Sequence, residues 1–129
     1  MAFTTIVPEN AKPVASYKMV TRYESGRLVY LSAQAAYDAD GNIVGKGDIR
    51  AQTRQIYRNL RRILQEAGGG LQDLIKITTW ITQMEDFPAS KEVRDEFLPG
   101  EAPAATLLEV PRLFHPDLLI QVEGVAVVD

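Results

Sequence analysis

Cysteine is absent from this 129-residue chain, and histidine occurs once, at position 115. The first absence excludes a disulfide framework, a thiolate metal site, an iron–sulfur cluster and a cysteine nucleophile. The second excludes a metal site built on several histidines. Long apolar runs are missing too. No stretch approaches the roughly 20 consecutive apolar residues of a membrane span. The start, MAFTTIVPEN, lacks the basic opening and apolar run of a signal peptide. These absences point to a cytoplasmic protein that makes no membrane contact. An excess of positive charge is also lacking. Lys and Arg number 14 against 17 Asp and Glu, for a formal net charge of −3, which gives no general attraction to nucleic acid. Without linkers, repeats or low-complexity stretches, residues 1–129 read as one domain. What is present, 46% apolar and 24% charged residues, is the composition of an ordinary globular protein.

Local patterns give the element order. Residues 18–34 read as a β-hairpin, with the runs 18–23 and 27–32 flanking Glu24-Ser25-Gly26. Asp38-Ala39-Asp40-Gly41-Asn42 is a second turn. It lacks the glycine that a calcium loop needs at its sixth position, where Ile43 stands. Residues 48–67 carry Ile49, Ile56, Leu60, Ile63, Leu64 and Ala67 at helical spacing. Gly68-Gly69-Gly70 ends that helix. Residues 74–83, rich in Ile and Thr, read as a strand. Residues 87–98 read as a second helix, with Pro88 in its first turn and Val93 and Phe97 on one side. The last strands span 104–110 and 118–128. Two helices against one face of a mixed sheet make an α+β domain. The other sheet face also carries apolar residues, which predicts burial against other subunits.

Few residues have a pattern that suggests chemistry. Glu123 interrupts the apolar run Leu118–Val128, and strand alternation sets it on one face with Leu119, Gln121, Val125 and Val127. On a dry face, desolvation would raise its pKa towards the range useful for proton transfer. On an open edge it would instead be a solvated charge that discourages aggregation. His115, in Leu113-Phe114-His115-Pro116-Asp117, reads as a loop or cap residue without a second histidine or cysteine beside it. Arg50, Arg54, Arg58, Arg61 and Arg62 form a basic stripe on the first helix. No aromatic platform interleaves it, so it reads as a solvated face, with pairing to a neighbouring subunit as an option. Gly68-Gly69-Gly70 follows a helix instead of opening one and is no phosphate loop. Ser32 has only the single histidine available for a triad.

From end to end the chain resembles the YjgF/Rid (reactive intermediate deaminase) family. The resemblance rests on Pro8-Glu9-Asn10-Ala11 followed by Tyr17, on Leu31-Ser32-Ala33-Gln34, and on the helix from Gln52 to Asn59 with Leu64-Gln65-Glu66-Ala67-Gly68. It continues through Pro103-Ala104, Glu109-Val110 and Ile120-Gln121-Val122-Glu123-Gly124-Val125-Ala126. It implies a chorismate-mutase-like α+β fold and a homotrimer in which three sheets form a central barrel, with clefts between subunits. The implied reaction is hydrolysis of reactive enamines and imines, such as 2-aminoacrylate, to ketoacids and ammonia. The implied site includes Tyr17 as a substrate contact, the Ser32 region, and Glu123 as the acid/base or water-orienting group. Neither metal nor cofactor is implied.

The chain departs from the family pattern where active deaminases carry Pro-Ala-Arg-Ser. Here the run is Pro103-Ala104-Ala105-Thr106, so Ala105 stands where an arginine would grip a substrate carboxylate, and alanine supplies no bidentate fork. Leu107 replaces the usual cysteine, Lys91 a helix asparagine and Ala33 the glycine of Ser-Gly-Gln. Ser32, Ala33, Lys91, Ala105, Thr106 and Leu107 thus become the expected substrate-binding set, in a pocket more apolar than one bearing arginine. Lys91 and His115 are the two candidates for a replacement cation. The first reading is a trimeric hydrolase acting on a small imine, enamine or related C–N compound, and a weak 2-aminoacrylate deaminase. The alternatives are a non-catalytic metabolite-binding or chaperone-like trimer, and an RNA-binding or ribonuclease-like protein. The net charge argues against the last.

Overall fold

In the computed structural model, residues 3–6, 20–98 and 102–129 are described. The strands are β1 (Phe3–Ile6), β2 (Val20–Tyr23), β3 (Arg27–Gln34), β4 (Leu74–Ile81), β5 (Ala104–Glu109) and β6 (Ile120–Val128). The helices are α1 (Ile49–Glu66) and α2 (Phe87–Phe97). Asp48 caps α1, its carboxylate accepting from the Ala51 amide at 3.1 Å. Gly68, at φ +85°, takes the left-handed conformation just past the helix end. Pro88 sits in the first turn of α2, where its missing N–H costs nothing. The expected helix and strand positions thus hold to within a few residues, and the fold is α+β.

The main sheet runs β3-β6-β4-β5, with β4 and β5 parallel and the other pairs antiparallel. Both helices pack on one of its faces. Ile56, Leu60 and Leu64 of α1 meet Ile77 and Ile81 of β4 and Ile120, Val122 and Ala126 of β6, all buried in one cluster. Gly124 permits the close packing of β6, since a side chain there would come within 2.9 Å of Leu74 Cδ2. Helix α2 is tied to α1 by the buried Thr53–Ser90 hydroxyl pair at 2.8 Å and by stacking of Tyr57 on Phe97.

The opposite sheet face has no helix over it. Register aligns Tyr30 with Val125, Thr78 with Glu123 and with Thr106, and Trp80 with Gln121, so these residues share that face. Tyr30 is 77% exposed, Leu28 48% and Leu108 42%. The expectation of apolar residues on an uncovered face is met. Within one chain the sheet stays open.

The expected hairpin over 18–34 is not formed. Residues 18 and 19 lie outside the described residues, and β2 pairs with β1, whereas β3 pairs with β6. Gly26, at φ +102°, lies against the end of β6, where a side chain would come within 2.7 Å of the Val128 carbonyl oxygen. The chain therefore does turn at Gly26, but the turn delivers β3 to β6. Pairing with β6 places Leu31 beside Gly124, in the buried cluster, which is a larger gain than a local two-stranded ribbon offers.

Candidate functional site

A cavity of about 710 Å³ opens between the end of β3, the loop after it, α1 and the loop before β6. At its β3 wall the ladder with β6 is irregular: Leu31 pairs with Gly124, but the next partners are Gln34 and Val122. Three steps on β3 thus match two on β6, a bulge that leaves Ser32 and Ala33 exposed and re-aims the strand end. Ala33 and Gln34 line the cavity, and the Gln34 side chain donates back to the Ser32 carbonyl at 3.2 Å.

Helix α1 supplies Asn59, Arg62 and Ile63 to the same cavity. Asn59 is buried and clasps the post-β3 loop to the helix. Its Nδ2 donates to the carbonyls of Tyr37 (2.9 Å) and Ala35 (3.3 Å), and its Oδ1 accepts from Gln55 (2.9 Å) and Arg62 (3.2 Å). On the loop side, Asp38 Oδ1 accepts from the amides of Asp40 and Asn42, each at 2.9 Å, closing the predicted turn. Phe114, 94% exposed, and Gln121 complete the lining on the β6 side.

The candidate residues fall in three places. Ala33 lines the cavity, and Ser32, its exposed neighbour in the bulge, is not part of the lining. Glu123 and Thr106 lie on the open sheet face, where Thr106 Oγ1 accepts from Lys76 Nζ at 2.5 Å. Glu123 is exposed in the single chain, so a dry setting for its carboxylate requires another molecule over that face. It is two strand residues from Gln121, roughly 7 Å away on the same face. Ala105 and Leu107 point to the helix-covered side, opposite Ile77 and Thr79, and pack against the core. Ala105 borders a space of only about 10 Å³ beside Arg94 and Asp95. Tyr17 lies outside the described residues.

Neither expected replacement cation lines the large cavity. Lys91 pairs with Asp95 on α2 at 2.9 Å. His115 Nδ1 accepts from the Asp117 amide at 3.0 Å, the loop-capping arrangement anticipated for it. The cation that does line the cavity is Arg62, a member of the arginine stripe of α1. Its signal in the sequence was Asn59 three residues earlier, a spacing that puts both on one helix face. Of the remaining stripe, Arg50 pairs with Glu92 at 2.7 Å and Arg54 with Glu96 at 3.3 Å, both on α2 of the same chain. Arg61 lies over the Phe97 ring. Among the described residues no group of three or more His, Asp or Glu side chains could hold a metal ion, and no helix is long and apolar enough to cross a membrane.

Comparison with known proteins bears on what such a cavity serves. The sequence profile of the family described as endoribonuclease L-PSP matches residues 8–128. A RutC family protein of Pyrococcus horikoshii is 37% identical over 122 residues, covering 94% of each chain. The 3-aminoacrylate deaminase RutC of Acinetobacter baylyi is 35% identical, again over 94% of each chain. Among solved structures, a Rid-family protein of unknown function from Yersinia pestis superposes with a TM-score of 0.91 at 27% identity, covering 99% of this chain and 100% of that one. RidA from a Psychrobacter species superposes at 0.74 with 26% identity, covering 97% and 99%.

Proposed function

The chain belongs to the endoribonuclease L-PSP family, the YjgF/Rid proteins, and from that premise we propose that it is a cytoplasmic homotrimeric hydrolase of small reactive imines or enamines. The observation that carries the reading is the bulged β3 end. It exposes Ser32 and Ala33 beside a cavity whose far wall, Gln121, shares a sheet face with Glu123. A related deaminase, the Acinetobacter RutC, is named for 3-aminoacrylate, an enamine. The exposed apolar residues Leu28, Tyr30 and Leu108 supply the surface on which further copies would pack, converting the cavity and the open face into an intersubunit cleft.

In this reading an enamine is first protonated on carbon to give the iminium. Water adds to the C=N carbon as Glu123 takes its proton. The carbinolamine nitrogen is then protonated, the C–N bond breaks as the hydroxyl gives up its proton, and a carbonyl compound and ammonia leave. Tyr17 contacts the substrate. Ser32, Ala33 and Thr106 line the cleft, while Ala105, Leu107 and Lys91 act from the β5–α2 side. No cofactor or metal takes part.

Ala105 bears on the alternative of a metabolite-binding trimer without turnover. A missing charge-assisted contact costs on the order of 1.5–3 kcal/mol, roughly 10- to 150-fold in rate. Slow hydrolysis of 2-aminoacrylate is therefore expected. The RNA reading loses support because Arg50 and Arg54 are engaged by Glu92 and Glu96. The deciding assay is ammonia or carbonyl release from enzymatically generated 2-aminoacrylate and 3-aminoacrylate, with Glu123→Gln as the control. Release that stops with Glu123→Gln supports the hydrolase. Binding without release favours the non-catalytic trimer. Fast 2-aminoacrylate hydrolysis that survives Glu123→Gln removes the role given to Glu123.

A further inference from the structure

Helices α1 and α2 are joined on their outer side by a charge ladder that stops halfway. Arg50 pairs with Glu92 at 2.7 Å and Arg54 with Glu96 at 3.3 Å, so each rung advances four residues on both helices. The next rung would join Arg58 to position 100, but α2 ends at Phe97 and residue 100 is glycine. Arg58 is exposed and has no hydrogen bond, ion pair or ring contact among the described residues. Arg61, one turn further, lies 5.4 Å from the centre of the Phe97 ring, and that ring stacks on the buried Tyr57. Such stacking uses the face of the guanidinium and leaves its edge donors unspent. The surface beside these arginines is concave. A hollow of about 400 Å³ lined by Arg54, Arg58, Arg61, Glu96 and Phe97 adjoins a second of about 420 Å³, with Arg61 and Phe97 common to both. Gln65, Gln72 and Leu98 line the second.

We propose that this groove docks an acidic helical segment of a partner protein, whose carboxylates, one turn apart, take up the rungs at Arg58 and Arg61. The pattern is supplied by α2 itself, a helix that lies against α1 with glutamates four residues apart. A segment seated past the end of α2 continues the ladder and sets its apolar side on Phe97 and Leu98. A guanidinium fork matches a carboxylate in geometry as well as in charge. Nucleic acid suits the groove less well. Glu96 lines it and would face a phosphate backbone. The Phe97 ring is already engaged by Arg61 and Tyr57, so it offers a base no free platform. The groove belongs to the helical side of the sheet, so copies packed on the open face leave it accessible. This docking role goes beyond the hydrolase reading and does not depend on it.

The test is fluorescence anisotropy on the full-length protein. The probe is a labelled alanine-rich helical peptide of about sixteen residues, with glutamate at every fourth position and leucine on the same side. Saturable binding is expected with a Kd below about 100 μM at low salt, weakened at least about fivefold near ~0.5 M salt because exposed charge pairs are screened. Arg58→Gln combined with Arg61→Gln should weaken binding at least about fivefold. Lys46→Gln combined with Arg112→Gln removes the same charge from exposed positions elsewhere and should change it less than about twofold. A glutamine version of the peptide should not bind. Arg58→Glu combined with Arg61→Glu should reverse the preference towards a lysine version. Thermal melts by circular dichroism check that every variant is folded. No saturable binding at about 1 mM peptide, or equal loss in the two glutamine double variants, overturns the site. Tighter binding of a single-stranded RNA oligonucleotide of equal charge, lost with the same two arginines, overturns the choice of partner.

Discussion

Gln52 is fully buried in the first turns of α1, and its amide makes three hydrogen bonds to backbone of two separate loops. Nε2 donates to the carbonyls of Gly45 (3.1 Å) and Asp117 (2.8 Å), and Oε1 accepts from the Leu119 amide at 2.9 Å. Truncation to alanine strands those three backbone groups away from water. Each net hydrogen bond contributes about 1 kcal/mol, and each partner left unpaired costs about 1–3 kcal/mol. Allowing for some water entry, Gln52→Ala is expected to lose about 3–5 kcal/mol, a large fraction of the 5–15 kcal/mol typical of a domain. Gln52→Leu, which fills the space without bonding, should lose a similar amount, which separates hydrogen bonding from packing. The assay is urea unfolding at fixed protein concentration. With a slope of about 2 kcal/mol/M, the midpoint should fall by roughly 1.5–2.5 M. Amide exchange at Leu119 should rise in both variants, because that N–H loses its acceptor. A midpoint shift under about 0.5 M in both would refute the reasoning, since the three bonds would then contribute nothing beyond what water replaces.

Tyr57 carries a buried hydroxyl with no hydrogen-bond partner among the described residues, and burial pushes its pKa above the ordinary value, with Arg94 acting against the shift and Asp95 adding to it. Tyr57→Phe should therefore be neutral to about 2 kcal/mol stabilising at pH 7. Above about pH 10 the unfolded chain ionises this tyrosine while the folded chain does not, so wild type should lose up to about 1.4 kcal/mol per pH unit that the variant keeps. Parallel alkaline stability curves for the two would contradict this. Asp48→Ala, removing the α1 cap, should cost about 1 kcal/mol by urea midpoint, and Asp48→Asn much less. Tyr30→Glu, on the open sheet face, should convert the proposed trimer of the 14.3 kDa chain to monomer in light scattering. An unchanged mass would move the interface elsewhere. Ala105→Arg should raise 2-aminoacrylate hydrolysis, more so with Leu107 trimmed to alanine. It should also lower thermal stability, because the new guanidinium enters a space of about 10 Å³ beside the buried Arg94. Unaltered hydrolysis in a folded double variant would remove Ala105 from the site.

Period and punctuation were enough to place most elements. α1 is amphipathic, capped by aspartate and ended by glycine, and α2 opens on Asp86-Phe87-Pro88. All of these are local signals that tertiary structure did not override. The hairpin failed because its pattern, two strand-like runs around a glycine turn, is also local, while the partner of Arg27 is Val128, about a hundred residues away. The buried polar side chains were illegible for a related reason. Gln52, Thr53 and Asn59 look like solvent-face residues to a hydrophobicity pattern, yet Gln52 and Asn59 are drawn inside by backbone groups of loops that only the folded chain brings near, and Thr53 by the Ser90 hydroxyl of α2. The arginine stripe looked unpaired because Glu92 and Glu96 lie on another helix. Arg62 was grouped with its neighbours by sequence, although one buried asparagine orients it differently from the rest.

The placement of these groups along β6 gives the proposed chemistry its order. Gln121 borders the cavity, and Glu123 lies one pleat further along the same face, roughly 7 Å on. In the single chain that second position is open to solvent, where water screens the carboxylate and competes for its partners. Covering the face with another copy would alter mainly the medium around Glu123. Assembly should then govern turnover. Hydrolysis at saturating substrate should fall at least about tenfold in Tyr30→Glu, the size of one general acid–base or desolvation effect. Undiminished hydrolysis in a monomeric Tyr30→Glu would mean that the reaction does not use the covered face, and with it would go the role given to Glu123.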